Sequence, residues 1–190
     1  LWIGTLGGGL ARYVREQDHF VRWQPQPGKP DSLAHVSVTS MADDGEGGLW
    51  IGTHGGLDHL TASGRLHHVW PQHAITALQA GADGTLWIAS DKQLFRRKLS
   101  PDDSRARPAG GALVAGNSMQ DVVMQAEFPS PVYSLFLAKD QRLWLGTRRD
   151  GAYTLDPANG TVQPVREGAA GKLAHEWISA FAEPNAGEIW

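Results

Sequence analysis

The sequence contains no cysteine. That absence excludes disulfides, zinc ribbons and thiol nucleophiles together, and it leaves the compartment open, because many periplasmic proteins carry no disulfide. Basic charge is also scarce. A formal net charge of -3 excludes the clearly basic face expected of a nucleic-acid binder. The one basic cluster, Arg96-Arg97-Lys98 with Arg105 and Arg107, is interrupted by Asp102 and Asp103 and reads as a solvated loop. No apolar run approaches the roughly 20 residues that a membrane helix needs, and no signal peptide is visible. Amphipathic helices are missing too: the nearest candidate, Ala109–Met124, is broken by Gly110-Gly111 and Gly116-Asn117. What remains is ordinary globular composition, 41% hydrophobic and 19% charged over 190 residues.

Against that background one stretch recurs. Leu1-Trp2-Ile3-Gly4-Thr5 returns as Leu49-Trp50-Ile51-Gly52-Thr53, as Leu86-Trp87-Ile88-Ala89-Ser90 and as Leu143-Trp144-Leu145-Gly146-Thr147, and a fifth copy opens at Ile189-Trp190. The tryptophans lie 48, 37, 57 and 46 residues apart. A period of that size marks a repeat architecture. The first and last residues both fall inside the motif, so both ends are expected to be cut from something longer, with any targeting or output segment outside this chain.

Each copy sits in the same local grammar. A short apolar run comes first (Val36–Met41, Ile75–Leu78, Val132–Phe136, Trp177–Phe181), followed by a turn rich in Asp, Asn and Gly. These runs are β-branched or aromatic and of strand length. The turns supply the positive φ that tight hairpins require. After the motif, His54-Gly55-Gly56 leads to Leu57–Leu60, Arg149-Asp150-Gly151 to Ala152–Leu155, and Gly7-Gly8-Gly9 to Leu10–Tyr13. A weaker fourth strand follows at Leu66–Trp70 and Thr161–Val165, whose polarity and proline suit an outer edge. Four antiparallel strands in about 40–50 residues is the arithmetic of a propeller blade.

The chain is therefore all-β: about four β-propeller blades, an open arc rather than a ring, with repeats near 1–35, 36–73, 74–130 and 131–176 and a partial one over 177–190. A loop insertion over 100–131, carrying an extra strand around Val122–Met124, accounts for the longest spacing. A small closed ring, in which Ile178–Ala182 completes the blade begun by Leu1, is the alternative, and the duplicated Trp2 and Trp190 argue against it. Stacked blades bury their middle strands on both sides, which is what Leu-Trp-Ile provides. Each indole brings about 150–250 Å² of surface, or about 4–6 kcal/mol gross at ~25 cal/mol per Å². The glycine two places after the tryptophan lets a neighbour approach closely.

The pattern apolar-Ser/Thr-apolar, then Asp-x-x-Gly-x, then Leu-Trp-Ile-Gly-Thr-x-Gly-Gly-Leu resembles the two-component regulator propeller repeat. Leu1–Tyr13 and Leu49–Leu60 match it closely, and Ser32-Leu33-Ala34-His35 and Lys172-Leu173-Ala174-His175 resemble its blade-to-blade linker. The third copy departs at Ala89-Ser90 and Gln93-Leu94, which predicts a distorted turn there. The resemblance implies seven-bladed propellers in the extracytoplasmic, periplasmic part of bacterial membrane receptors. The output domain, a histidine kinase or a diguanylate cyclase, would lie beyond a membrane helix absent from this chain. Some relatives recognise oligosaccharides, which does not carry over to this chain; the expected partner is an unidentified small ligand, an oligosaccharide being one candidate.

Catalytic chemistry has little support in the residues. No serine sits in a nucleophile elbow and no phosphate-binding glycine loop leads into a helix. His54, His59, His67, His68 and His73 fall on different strands and at both ends of one blade, so no metal or cofactor is expected. Asp43, Asp44, Asp83 and Asp140 read as turn formers. The ligand surface is expected on the face that carries the linkers and the turns between second and third strands, with His35, His54, His73, Lys92, Arg148, Arg149, Asp150, His175 and Trp177. Of these, His54, Arg148, Arg149, Asp150, His175 and Trp177 are the candidate ligand-binding residues. Arg148-Arg149-Asp150 is the most distinctive, since other copies place glycines there. The leading reading is a non-catalytic sensor segment. A protein-interaction scaffold is the competing class, a propeller lyase or glycosidase a third. Exposed blade edges imply self-association.

Overall fold

The computed structural model describes residues 1–99, 122–165 and 176–190. Among the described residues, fifteen strands form four antiparallel sheets in chain order. The first holds β1 (Trp2–Gly4), β2 (Leu10–Val14) and β3 (His19–Trp23), the last two joined by a 3-10 turn at Arg15–Gln17. The second holds β4 (Val38–Asp43), β5 (Leu49–Thr53), β6 (Gly56–Leu60) and β7 (Leu66–Pro71). The third holds β8 (Ala77–Ala80), β9 (Thr85–Ser90), β10 (Gln93–Lys98) and β11 (Val122–Glu127). The fourth holds β12 (Val132–Leu137), β13 (Leu143–Thr147), β14 (Ala152–Leu155) and β15 (Val162–Pro164). There is no α-helix among the described residues.

Every sheet is a meander, and the first strands β4, β8 and β12 approach one another at the inner side of the stack. β1, β5, β9 and β13 carry the recurring motif, and their pleat explains its composition. Side chains alternate between the two faces of a strand. Leu49 and Ile51 pack back against the first sheet with Leu10, Trp2 and Trp23, whereas Trp50 packs forward with Ile75, Leu86 and Ile88 of the third. Leu86 and Ile88 in turn face back and Trp87 faces forward, into a core with Val132, Leu143 and Leu145 of the fourth. Trp144 continues the series, its ring 6.0 Å from that of Phe181.

The motif glycine is the contact point between blades. A β-carbon on Gly4 would meet Val38 Cγ1 at 2.6 Å, one on Gly52 would meet Ile75 Cγ2 at 2.7 Å, and one on Gly146 would meet Ile178 Cβ at 2.9 Å. The same three residues donate backbone hydrogen bonds to the motif threonine of the preceding blade: Val38 to Thr5 (2.8 Å), Ile75 to Thr53 (2.9 Å) and Ile178 to Thr147 (3.0 Å). One β-branched residue thus seats each blade on the last.

Several expectations are modified by the structure. The strand foreseen at Val122–Met124 runs to Glu127 and is the outer strand of the third sheet, paired with β10, rather than an addition inside a loop. The rest of the insertion, from 100 to 121, lies outside the described residues, as does the Lys172–His175 linker. The turn of the third repeat is tight, not distorted. Its ladder is regular from Ser90–Gln93 to Thr85–Lys98 around the loop Asp91-Lys92, with Asp91 at φ 51°. What changes is the bonding: the inter-blade bond from Val132 goes to Asp91 (2.8 Å), one residue beyond the threonine position. The arc is open, because Leu1 and Ile3, whose counterparts in β5, β9 and β13 are buried, are 79% and 37% exposed. Residues 178–190 begin a further unit without forming a full strand, Ala182 and Trp190 exchanging two backbone bonds of 2.8 Å.

Candidate functional site

The turns between second and third strands gather at one end of the stack, beside the segments that lead from blade to blade. His54 donates its backbone N–H to Ser37 O (3.2 Å), Gly9 to Val36 O (2.8 Å), Arg148 to Pro131 O (3.0 Å) and Gly151 to Glu176 O (3.0 Å). These turns and linkers therefore lie side by side on one surface. On it an open groove of about 670 Å³ is lined by Gly4, Leu6, Val38, Thr39, His54, Ala74, Thr76, Asp91 and Tyr133. Thr39, Thr76 and Tyr133 each follow the seating residue (Val38, Ile75, Val132) of their blade, so the groove collects the same position from three successive inner strands.

Among the residues picked from sequence, His54 lies on the groove wall and its ring is 5.7 Å from that of His35. Trp177 stands beyond Tyr133, ring to ring 6.2 Å, and the Arg148 guanidinium lies over the indole at 5.7 Å from its centroid. Tyr133 thereby joins the groove to the Trp177–Arg148 pair. Arg149 and Asp150 are exposed in the same loop. The charge of Asp150 acts on Tyr153, whose phenol is pushed up first by burial and then by that carboxylate. His73 is turned aside, its ring 4.5 Å from Trp70. His175 lies outside the described residues.

Tyr133, Thr39, Thr76 and Asp91 were not singled out by sequence reasoning. Aligning the repeats on their seating residue gives Thr39, Thr76, Tyr133 and Ser179 in one column, and the change from small hydroxyl to aromatic ring at Tyr133 was the available signal.

The opposite end of the repeat is structural. Asp43, Asp83 and Asp140 accept backbone N–H groups two residues on, at 2.6, 3.1 and 3.1 Å. Asp44 goes further. Its Oδ1 accepts from Glu46 and Gly48 (2.8 and 2.7 Å) and its Oδ2 meets His59 Nε2 at 2.8 Å. Burial pushes the Asp44 carboxyl up, but the His59 and backbone bonds outweigh it and hold it below the usual carboxylate value. His59 is buried and stacks on Trp50 at 4.1 Å, whose ring also carries Arg97 at 5.1 Å. Asp58, fully buried, accepts from Ala34 N–H (2.8 Å) and contacts His68 Nδ1 (2.7 Å), tying the linker and the outer strand to β6. The Asp58 bond raises the His68 pKa against the opposing effect of burial. Among the described residues no three potential metal ligands converge.

Residues 32–55 and 127–149 match the model of the two component regulator propeller family. The first stretch spans the linker, β4 and the motif copy on β5, the second the corresponding elements of the fourth sheet. Over 63 residues, 33% of the chain, the sequence is 30% identical to histidine kinase P4 of Formosa agariphila, and that segment spans 5% of the relative's length. The whole chain superposes on 24% of the extracellular domain of BT4673, a one component system protein of B. thetaiotaomicron, with a TM-score of 0.76 at 18% identity. Ninety-five per cent of it superposes on 29% of the extracellular domain of the hybrid two component system BT3049 from the same organism, with a TM-score of 0.53 at 22% identity. Both likenesses are of fold: a propeller of which this chain spans about a quarter of the solved relatives' length. No helix of the described residues is long and apolar enough to cross a membrane.

Proposed function

We propose that this chain is a non-catalytic ligand-sensing segment of an extracytoplasmic, periplasmic receptor, with the signalling output carried elsewhere in the polypeptide. The observation that carries this reading is the groove. Equivalent inner-strand positions of three successive blades, Thr39, Thr76 and Tyr133, open onto it, with His54 and Asp91 at its rim. One imidazole, one carboxylate and one aromatic ring on a concave surface suit a small polar ligand with a flat apolar face, such as an oligosaccharide. A ligand spanning several blades touches equivalent positions of each, so its binding is sensitive to their relative tilt. The test is a glycan library screened by thermal shift, followed by calorimetry on Tyr133→Ala and His54→Ala. Both side chains are exposed, so affinity should fall about tenfold with the melting temperature unchanged. Unaltered affinity in both variants would move the ligand out of the groove.

A scaffold role has one observation in its favour. Val123 and Met124 are each 54% exposed on the outer strand β11, an edge open to another protein. Lysine substitution at both, if it abolished signalling in the whole receptor while glycan binding persisted, would favour that reading.

A further inference from the structure

We infer that the end of the groove beyond Tyr133 receives an anionic group, held by Arg148 and Arg149, so that the ligand is a ring compound bearing a carboxylate. The inference rests on the groove being the ligand site, and it adds the charge the ligand carries.

The hairpin that carries the two arginines does not need them. The first sheet makes the same loop with Leu6-Gly7-Gly8 in place of Arg148-Arg149-Asp150. Thr5 Oγ1 donates to Gly9 O (3.1 Å) and accepts from Gly8 N–H (2.8 Å). Thr147 Oγ1 likewise donates to Gly151 O (2.9 Å) and accepts from Asp150 N–H (3.0 Å). The threonine closes both turns, and the side chains between its two contacts are surplus to the fold. Three polar, charged residues therefore replace apolar and glycine residues at a place where the backbone geometry is already satisfied.

Neither guanidinium is ion-paired with a described carboxylate. Asp150, the nearest acid in sequence, has its charge felt at Tyr153, on the far strand of the hairpin. Lys92, exposed in the neighbouring hairpin, adds to the positive side. Asp91 is the one carboxylate on the groove wall. It repels an anion from the middle of the groove and accepts from hydroxyls there, which gives a bound molecule a direction: hydroxyl-bearing part toward Asp91, anionic part toward the arginines.

Arg148 also stands beside the Tyr133–Trp177 aromatic pair. Its guanidinium carbon is 5.7 Å from the centroid of the Trp177 ring, and a guanidinium can give a carboxylate two parallel hydrogen bonds. The Tyr133 and Trp177 rings beside it, 38% and 49% exposed, offer the surface on which the ring of the ligand lies. An acidic sugar and an aromatic acid share this chemistry.

The test uses calorimetry with three probes: digalacturonic acid, its dimethyl ester and benzoate. The variant is Arg148→Leu with Arg149→Gly, which copies the loop of the first hairpin and so keeps the turn. The acid should bind about tenfold tighter than its ester to the wild type, and that preference should vanish in the variant while the affinity for the ester barely moves. Benzoate binding that is lost with the arginines, without binding of either sugar, assigns the site to aromatic acids and still supports the anion assignment. Equal affinity for acid and ester overturns the assignment and leaves the groove as the ligand site. A preference that persists undiminished in the variant also overturns it, by placing the anion elsewhere. Failure of all three probes to bind would count against the groove itself.

Discussion

Gly52 and Ile75 are in such close contact that a β-carbon on the glycine would stand 2.7 Å from Ile75 Cγ2 and 2.6 Å from Ser40 Oγ. Ile75 is fully buried and donates its N–H to Thr53, so it has nowhere to retreat. Gly52→Ala should therefore destabilise the protein by about 1–3 kcal/mol, as overpacked cores do. Urea denaturation measures it. The third repeat already carries Ala89 at this position and shifts its inter-blade bond to Asp91; a Gly52 variant as stable as wild type would mean that every blade has that latitude.

Trp50 and Trp144 occupy the same motif position in different company. Trp50 is 1% exposed, stacked on His59 and covered by Arg97, whereas Trp144 is only partly buried against Phe181. Trp50→Ala should cost about 3–5 kcal/mol, the usual range for large aromatic truncations, and Trp144→Ala clearly less. Equal losses in chemical denaturation would contradict the packing described for β13.

The Asp58–His68 pair makes stability depend on pH in a stated direction. The folded protein holds the His68 pKa above its ordinary value of 6.5. Its contribution is complete below about pH 6.5 and fades as pH rises through the raised folded value. Melting temperatures across mildly acidic to mildly basic pH should show the wild type losing ground relative to His68→Gln. Burial holds neighbouring His67 below its ordinary value and acts with the opposite sign, so the comparison with the variant is what isolates His68. A constant difference between the two proteins would remove the pair from the pH response.

Asp44 works at the acid end. Its carboxyl is held below the ordinary value of 3.8, so its contribution is present above that pH and is lost as pH falls through the lowered folded value. Asp44→Ala removes the acceptor for two backbone N–H groups and leaves buried His59 Nε2 unsatisfied. A cost of about 1–3 kcal/mol is expected near neutral pH. Acid-induced unfolding that begins at the same pH in variant and wild type would show that Asp44 does not set the acid limit.

What could be read from the sequence was whatever packing repeats. Leu49-Trp50-Ile51 recurs because each blade has to fill the same two faces, and Gly4, Gly52 and Gly146 recur because each has to admit the same β-branched neighbour. Outer strands follow no such rule. His19–Trp23 and Val122–Glu127 have only one neighbouring strand, so their sequences drift, and neither was placed as the outer strand of its sheet. The candidate site divides in the same way. His54, Arg148 and Trp177 stood out because they break the glycine pattern or flank a linker. Tyr133 did not, because its column borders the groove and carries threonine in the two preceding blades, so no repeated pattern marks it.

The alternation along the motif strand, tryptophan forward and the two aliphatic residues back, gives every blade a front unlike its rear. Fronts fit only rears. Units of this kind can be added or removed in whole numbers without inventing a new surface, but none can be turned around. An array built from them has a polarity along its length, as a stack of cups does.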